Sequence, residues 1–350
     1  MGTRVILILL LLAKQSPVFA AFDDNLSSNI EFRLPDSIPR YVSTSSFPVS
    51  ITKESPAKYP ISEAIAGYAL TITPDTSINK RLLRNLSIGI GTLYAGSVIG
   101  LYQLWYRDYP QSAFHFYNDN GEWLQIDKAG HATSAYYIGM VGFEVLSATG
   151  MTNNKAALIG GSLGLVYLST VEIFDGFSAG WGASYGDVIA NFTGTAAFIS
   201  QQLIWKEQRI LFRYSYHPTK FAAYRPDLLG SNGIQRALKD YNGHTYWLSG
   251  NIKSFLPEES RFPKWINIAA GYSGTGMLGA YSNPAIYNEM PLPEFERYRR
   301  YFISPDIDFS KIKVKSKTAG YLIRALSFIK IPMPAIEINK KGIRLHPLYF

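Results

Sequence analysis

The chain has 350 residues, room for one large domain or two ordinary ones, and with 47% hydrophobic and 17% charged residues it can bury a core and is not a disordered polymer. The net charge of +8 is scattered along the sequence apart from 206–225 and 311–317, and no nucleic-acid motif accompanies it, so anionic lipid or glycan is the better counterpart and nucleic acid is excluded. There is no cysteine, which removes disulfides, thiolate metal sites, a cysteine nucleophile and a lipid anchor on an N-terminal cysteine.

Arg4 precedes the apolar run from Val5 to Ala13, and Val18-Phe19-Ala20 places small residues before a cut. Residues 1–20 therefore read as a secretory signal peptide, cleaved after Ala20, and the mature chain is expected in the cell envelope of a Gram-negative bacterium, associated with a membrane on its outer or periplasmic side. Residues 21–84, with Pro35, Pro39, Pro48, Pro56, Pro60 and Pro74, read as an extended N-terminal arm. Asn85 to Tyr106 carries no charge and is long enough to cross a bilayer. Gly96 and Gly100 would let a second helix approach it, and Trp105 and Tyr106 would sit at an interface.

Three more apolar helices follow, near 127–146, 156–172 and 187–205. Residues 85–205 are accordingly expected to form a four-helix apolar bundle at or in a membrane, which makes the chain mainly α. The 24 Tyr and 20 Phe suit such an interface. From 206 to 350 the texture changes to Gly, Pro and aromatics. This C-terminal region is expected to be α+β with a few short strands: alternation at 306–309 and 311–315, then a hairpin from 335–338 and 343–345. Phe350 is the terminal residue type of outer-membrane barrel strands, yet two or three strands make no barrel.

Polar residues concentrate where these helices end. Asp127 and His131 are four apart, and so are Asp187 and Asn191, which puts each pair on one helix face. Glu172 and Asp175 close the third helix. Up-and-down packing brings all six to one end of the bundle. Carboxylates beside an imidazole can act as general acid and base, with Asp127, His131, Glu172, Asp175, Asp187 and Asn191 as candidates. Alternatively Asp127, His131, Glu172 and Asp187 can bind a divalent metal, although no cofactor is required. Equally, Asp127 can be a helix cap, Ser184-Tyr185-Gly186-Asp187 has the form of a capping box, and His131 can clamp helices together. Ser178 and Ser184 lie nearby, and His115, in an aromatic loop, is placed toward the same end. No Gly-rich phosphate loop and no His-Glu-x-x-His motif occurs.

Asp127-Lys128-Ala129-Gly130-His131, then Glu172-x-x-Asp175, then Gly180-Trp181-Gly182-x-Ser184-x-x-Asp187 resembles the YfiM-like family of predicted periplasmic lipoproteins of unknown function. The Asp187, Asn191, Gly194 helix is more distantly similar to VanZ-like membrane proteins, and the long C-terminal part to the extended members of Bacteroidetes-type bacteria. The likeness covers about 120–205 and implies an address, with no reaction attached. The chain departs from it in having no lipobox cysteine, so attachment must come from its own helices. Basic residues flank the bundle on one side only, Lys80, Arg81 and Arg84 before it and Lys206, Arg209 and Arg213 after it. The positive-inside rule makes that side cytoplasmic, whereas the signal peptide makes it periplasmic.

Three functions fit this pattern. The first is a binding or structural envelope protein with a buried Asp/His/Glu cluster. The second is a membrane-embedded hydrolase or transferase acting on an envelope lipid or glycan, with or without a metal. The third is an accessory of an outer-membrane assembly or transport machine, partnered with an outer-membrane protein.

Overall fold

The computed structural model describes residues 78–107, 110–312 and 327–350. The signal peptide, the arm up to residue 77 and the alternation at 313–315 lie outside the described residues.

The first helix, α1 (Lys80–Leu101), is capped by Asn79, whose side chain accepts from the Leu82 N–H at 2.9 Å. It continues through a π turn, Tyr102–Tyr106. A two-residue strand β1 (Phe116–Tyr117) precedes α2 (Ile126–Ser147). The turn into α2 is unusual, because Trp123, Leu124 and Gln125 all adopt positive φ (46°, 52° and 65°) without being glycine. Such backbone is held only where its surroundings over-determine it. Here the Trp123 N–H donates to the Ala280 carbonyl and the Tyr272 hydroxyl donates to that of Leu124.

The predicted third helix is two, α3 (Asn153–Gly161) and α4 (Leu163–Gly176), broken at Ser162. The Ser162 hydroxyl donates back to the Leu158 carbonyl, a bond that competes with the helix ladder. Strand β2 (Ala183–Ser184) pairs in parallel with β1 and leads into α5 (Tyr185–Ile204).

Helix α2 lies at the centre of the helical layer because its neighbours present glycine to it. A Cβ on Gly194 would stand 1.9 Å from the Ala132 carbonyl oxygen, and one on Gly164 would stand 2.2 Å from that of Ala135. Backbone thus meets backbone, the packing by which apolar helices associate when water cannot drive them. Gly96 and Gly100 meet no such neighbour: among the described residues nothing lies within 4 Å of a Cβ at either. Gly194→Ala is therefore expected to lower stability by about 1–3 kcal/mol through overpacking. Gly96→Ala should be neutral or mildly stabilising, since alanine favours a helix by up to about 1 kcal/mol. Thermal unfolding of both variants in detergent checks the contrast.

The C-terminal half corrects the predicted architecture. A four-helix bundle with a few short strands is replaced by a helical layer packed on a six-stranded antiparallel sheet. Its strands are β3 (Ile210–Tyr216), β4 (His244–Asn251), β5 (Ile266–Thr275), β8 (Tyr298–Ile307), β9 (Met333–Asn339) and β10 (Gly342–Tyr349), in the order β10-β9-β8-β5-β4-β3. Two short helices, α6 (Pro226–Leu229) and α7 (Gly233–Lys239), fill the β3–β4 connection. A small hairpin of β6 (Ile286–Tyr287) and β7 (Met290–Pro291) precedes β8. The β9–β10 hairpin appears as expected, with Ile343 opposite Ile338 and Leu345 opposite Ile336. The alternation placed at 306–309 instead straddles the end of β8 and a 3-10 turn.

The sheet curls until its β3 edge meets the segment that leads into β9. Tyr214 of β3 bridges in parallel to Ile329, just upstream of β9, and Tyr349 at the end of β10 lies 3.1 Å from Thr245 of β4. Inside this cylinder Trp247, Ala269, Phe302, Ala335 and Tyr349 form one apolar cluster. Helix α2 lies along the outside of β3 and its neighbours. Tyr136 stacks on Phe212 with ring centroids 4.8 Å apart, and Ile126 packs with Tyr241, Tyr246 and Met277.

Candidate functional site

The start of α2, the end of α4 and the start of α5 share one end of the helical layer. Five of the six candidate residues meet there. His131 (1% exposed) points its Nδ1 at the Asn191 Oδ1, 3.0 Å away. That oxygen only accepts, so the network puts a proton on Nδ1. Nε2 then faces Asp127 Oδ2 at 4.0 Å and Asp187 Oδ1 at 3.7 Å, while Glu172 Oε1 stands 3.8 Å from Nδ1. His131 Nε2, Asp187 Oδ1, Glu172 Oε1 and Asn191 Nδ2 are buried and accept or donate no hydrogen bond among the described residues. Glu172, Asp187 and Asn191 are as deeply buried as the imidazole, at 4%, 5% and 0%.

Asp175 is the exception. Its carboxylate takes hydrogen bonds from the Tyr106 hydroxyl at 2.7 Å and from the Trp181 indole N–H. Tyr106 is consequently buried against the helices and does not mark an interface. Asp175 ties the end of α1 to the loop after α4.

Several participants carry no assignment in the sequence reading. Lys128 was read only as part of a motif, yet its ammonium joins three carboxylates: it bonds Asp119, lies 2.9 Å from Asp187 and 3.6 Å from Asp127. Asp119 comes from the loop after β1, and Tyr241 donates to Asp127 at 2.8 Å from the far C-terminal side. Neither position has a periodic or motif signal. Burial, with the nearby Asp119 charge adding to it, pushes the Glu122 carboxyl above its ordinary value just before α2.

Ser178 and Ser184 each sit in a Gly-x-Ser-x-Gly stretch, 176–180 and 182–186, which corrects the expectation that the chain has no such elbow spacing. Such a spacing accompanies a serine nucleophile only on a strained strand-to-helix turn with a base alongside. Ser184 has relaxed extended backbone (φ −91°, ψ 123°). Its hydroxyl donates to Asp119 and accepts from the Asp187 N–H at 3.1 Å, while its own N–H donates to Glu172 at 3.0 Å. It is the N-cap of α5, as the capping-box reading expected. His115 lies beside the same loop, its Nδ1 near Ser112 and the Ala113 carbonyl.

Asp127, His131 and Asp187 each offer one ligand atom within 4.8 Å of the others, which is the set that could hold a cation. The Lys128 ammonium already lies against two of those carboxylates. Two surface hollows, one bounded by Tyr102, Gln111 and Phe177, the other by Leu124, Tyr298 and Ile338, are lined by none of the cluster residues.

Fold and site together define an α/β body in which a layer of apolar helices is tied at one end by a buried ionic cluster. Residues 115–201, from β1 through most of α5, match the family model described as "Predicted periplasmic lipoprotein (DUF2279)". The match agrees with the resemblance to predicted periplasmic lipoproteins, and the protein is exported and envelope-associated. The 350 residues contain no cysteine to carry a lipid. No curated protein and no solved structure matches the chain.

Proposed function

We propose that this exported protein has a structural and lipid-binding role, with its helices in a membrane and the Asp127/Lys128/His131/Asp187 cluster as the clamp that holds them. The observation that carries the proposal is the burial of the cluster's core: His131 and Asp187 are 1% and 5% exposed, the Asp127 and Lys128 side chains only 15% and 12%, and neither of the two hollows described above touches them. Membrane attachment is supported by α1 and by the α3–α4 rod, which are long and apolar enough to cross a bilayer. It is supported further by outward apolar residues such as Ile88 on α1 and Ile189 and Phe192 on α5. No observation favours a glycan or an outer-membrane protein over lipid as the partner. The finer likeness to YfiM-like and VanZ-like proteins belongs to this proposal.

Under this reading His131→Ala costs about 2–4 kcal/mol, from the lost hydrogen bond to Asn191 and the cavity left behind. Wild-type protein turns over no envelope lipid or glycan. Unfolding in detergent and a hydrolysis assay on extracted envelope lipids test both halves. Turnover by wild type that disappears in Asp127→Ala and His131→Ala while both variants stay folded would reject the clamp.

One observation favours a second reading. His131 Nε2 is buried without a hydrogen bond among the described residues, and with Asp127 Oδ2 at 4.0 Å and Asp187 Oδ1 at 3.7 Å it has the spacing of ligands around a shared small cation at about 2.0–2.2 Å, which would have to displace the Lys128 ammonium. Such a site would support metal-assisted or acid–base chemistry. Elemental analysis of protein purified without chelator separates the two, since stoichiometric metal lost in His131→Ala supports the second.

A further inference from the structure

The sheet's outer wall is apolar, while its interior holds buried charges beside the ring cluster around Trp247. Residues on the outer wall, Leu248, Ile268, Ile303, Ile336, Ile338 and Leu345, are 42–75% exposed. The residues that alternate with them point into the cylinder and carry its charges. Arg213 is 0% exposed and pairs with Asp306 at 3.2 Å and Asp308 at 3.6 Å, while Arg300 pairs with Glu337 at 3.2 Å. In water this arrangement is unfavourable on both counts, because it strips ions of solvent and leaves a wide apolar face wet. In hydrocarbon it is the expected one, since outward apolar and inward polar residues alternate along strands that face lipid.

Dimensions and ends agree. Ten-residue strands such as β5 and β8 extend about 33 Å, the twenty-odd residues of α1, α2 and α5 about 30–33 Å, and a hydrocarbon core is about 30 Å thick. Helices and strands run side by side, because Ile126 at one end of α2 packs with Tyr246 and Tyr136 further along bonds toward Ile210. Both ends of the sheet carry aromatic and basic residues. At one end Arg209 lies over Trp205 and Phe255; at the other, Lys340 and Lys341 lie over Tyr298. Such belts belong at the two faces of a bilayer.

We propose that the outer wall of the sheet contacts bilayer hydrocarbon, so that strands and helices form one lipid-embedded body. This rests on the membrane reading of the helices and extends it to the half of the chain beyond them. A bilayer is the occupant that fits, because exposed apolar residues line both the helices, at Ile88, Ile189 and Phe192, and the sheet wall, while basic and aromatic residues mark both ends.

The cysteine-free sequence makes the test direct. Single substitutions Ile303→Cys, Ile338→Cys and Leu345→Cys on the wall, Ile189→Cys on α5 and Glu294→Cys in the exposed loop before β8 are each labelled with a nitroxide. The full-length variants are reconstituted into phosphatidylethanolamine–phosphatidylglycerol vesicles, and collision with oxygen and with a water-soluble nickel chelate is measured. Several-fold higher oxygen-to-nickel ratios at 303, 338 and 345 than at 294, matching 189, are expected. If the three wall labels meet nickel freely while 189 does not, the inference fails and the helix reading stands. Nickel access at 189 as well would defeat both. Wall labels shielded from both reagents would mean that a second copy covers the sheet, and would also overturn the inference.

Discussion

Lys128→Met is expected to destabilise the protein by about 3–5 kcal/mol, the usual consequence of removing one partner from a buried ionic group. Methionine keeps the apolar stem, so packing changes little and the effect isolates the charge. The ammonium is 12% exposed and touches Asp119, Asp127 and Asp187 together. Without it three carboxylates from a loop and two helices face one another with little water to screen them. Partial rescue should follow from Asp119→Asn combined with Asp187→Asn, which removes the uncompensated charges. Denaturant titration in detergent, followed by helical circular dichroism, reads both results. An unchanged midpoint in Lys128→Met would mean that water, and not the ammonium, solvates these carboxylates.

The other large effect is expected inside the sheet. Arg213→Met should also cost about 3–5 kcal/mol, because Asp306 and Asp308, each 1% exposed, would lose the cation between them. Asp306 keeps a hydrogen bond from Ser249 at 2.6 Å, which compensates only part of a full charge. Arg213→Met with Asp306→Asn and Asp308→Asn should recover most of the loss, since no carboxylate is then left without its cation while the separate Arg300–Glu337 pair stays intact. Intrinsic fluorescence reports this directly, because Trp247 lies in the same interior. If the single variant were as stable as wild type, the interior charges would be open to water and the cylinder would not be closed.

The helical layer was legible because its cues are local. Long uncharged runs fixed four helical regions, and Asp127/His131 and Asp187/Asn191 at four-residue spacing placed side chains on single faces. What local cues could not show was Ser162 breaking one rod into α3 and α4, or which glycines meet a neighbour. Gly194 and Gly96 look alike in sequence, and only the tertiary packing separates a backbone contact from open space.

The sheet was largely missed for a physical reason. Reading strands from alternation assumes polar residues outward and apolar residues inward, with turn residues between. Here Asn267, Ser273, Ser304 and Asp306 share the inward face with Ala269, Gly271 and Phe302, so polar and apolar residues do not alternate regularly. The pattern therefore resembled loop. Site residues contributed by that region were invisible for the same reason, Tyr241 above all, which reaches Asp127 across 114 positions of sequence. Lys128 stood in plain view but reads as a solvated charge until the three carboxylates around it are known.

A double-mutant cycle between Lys128 and Asp187, using Lys128→Met, Asp187→Asn and their combination in the full-length protein, tests the clamp most directly. A coupling of about 2 kcal/mol is predicted for charges 2.9 Å apart whose side chains are 12% and 6% exposed. Effects that simply add, within about 0.3–0.5 kcal/mol, would contradict it, for the ammonium and the carboxylate would then stabilise the fold independently.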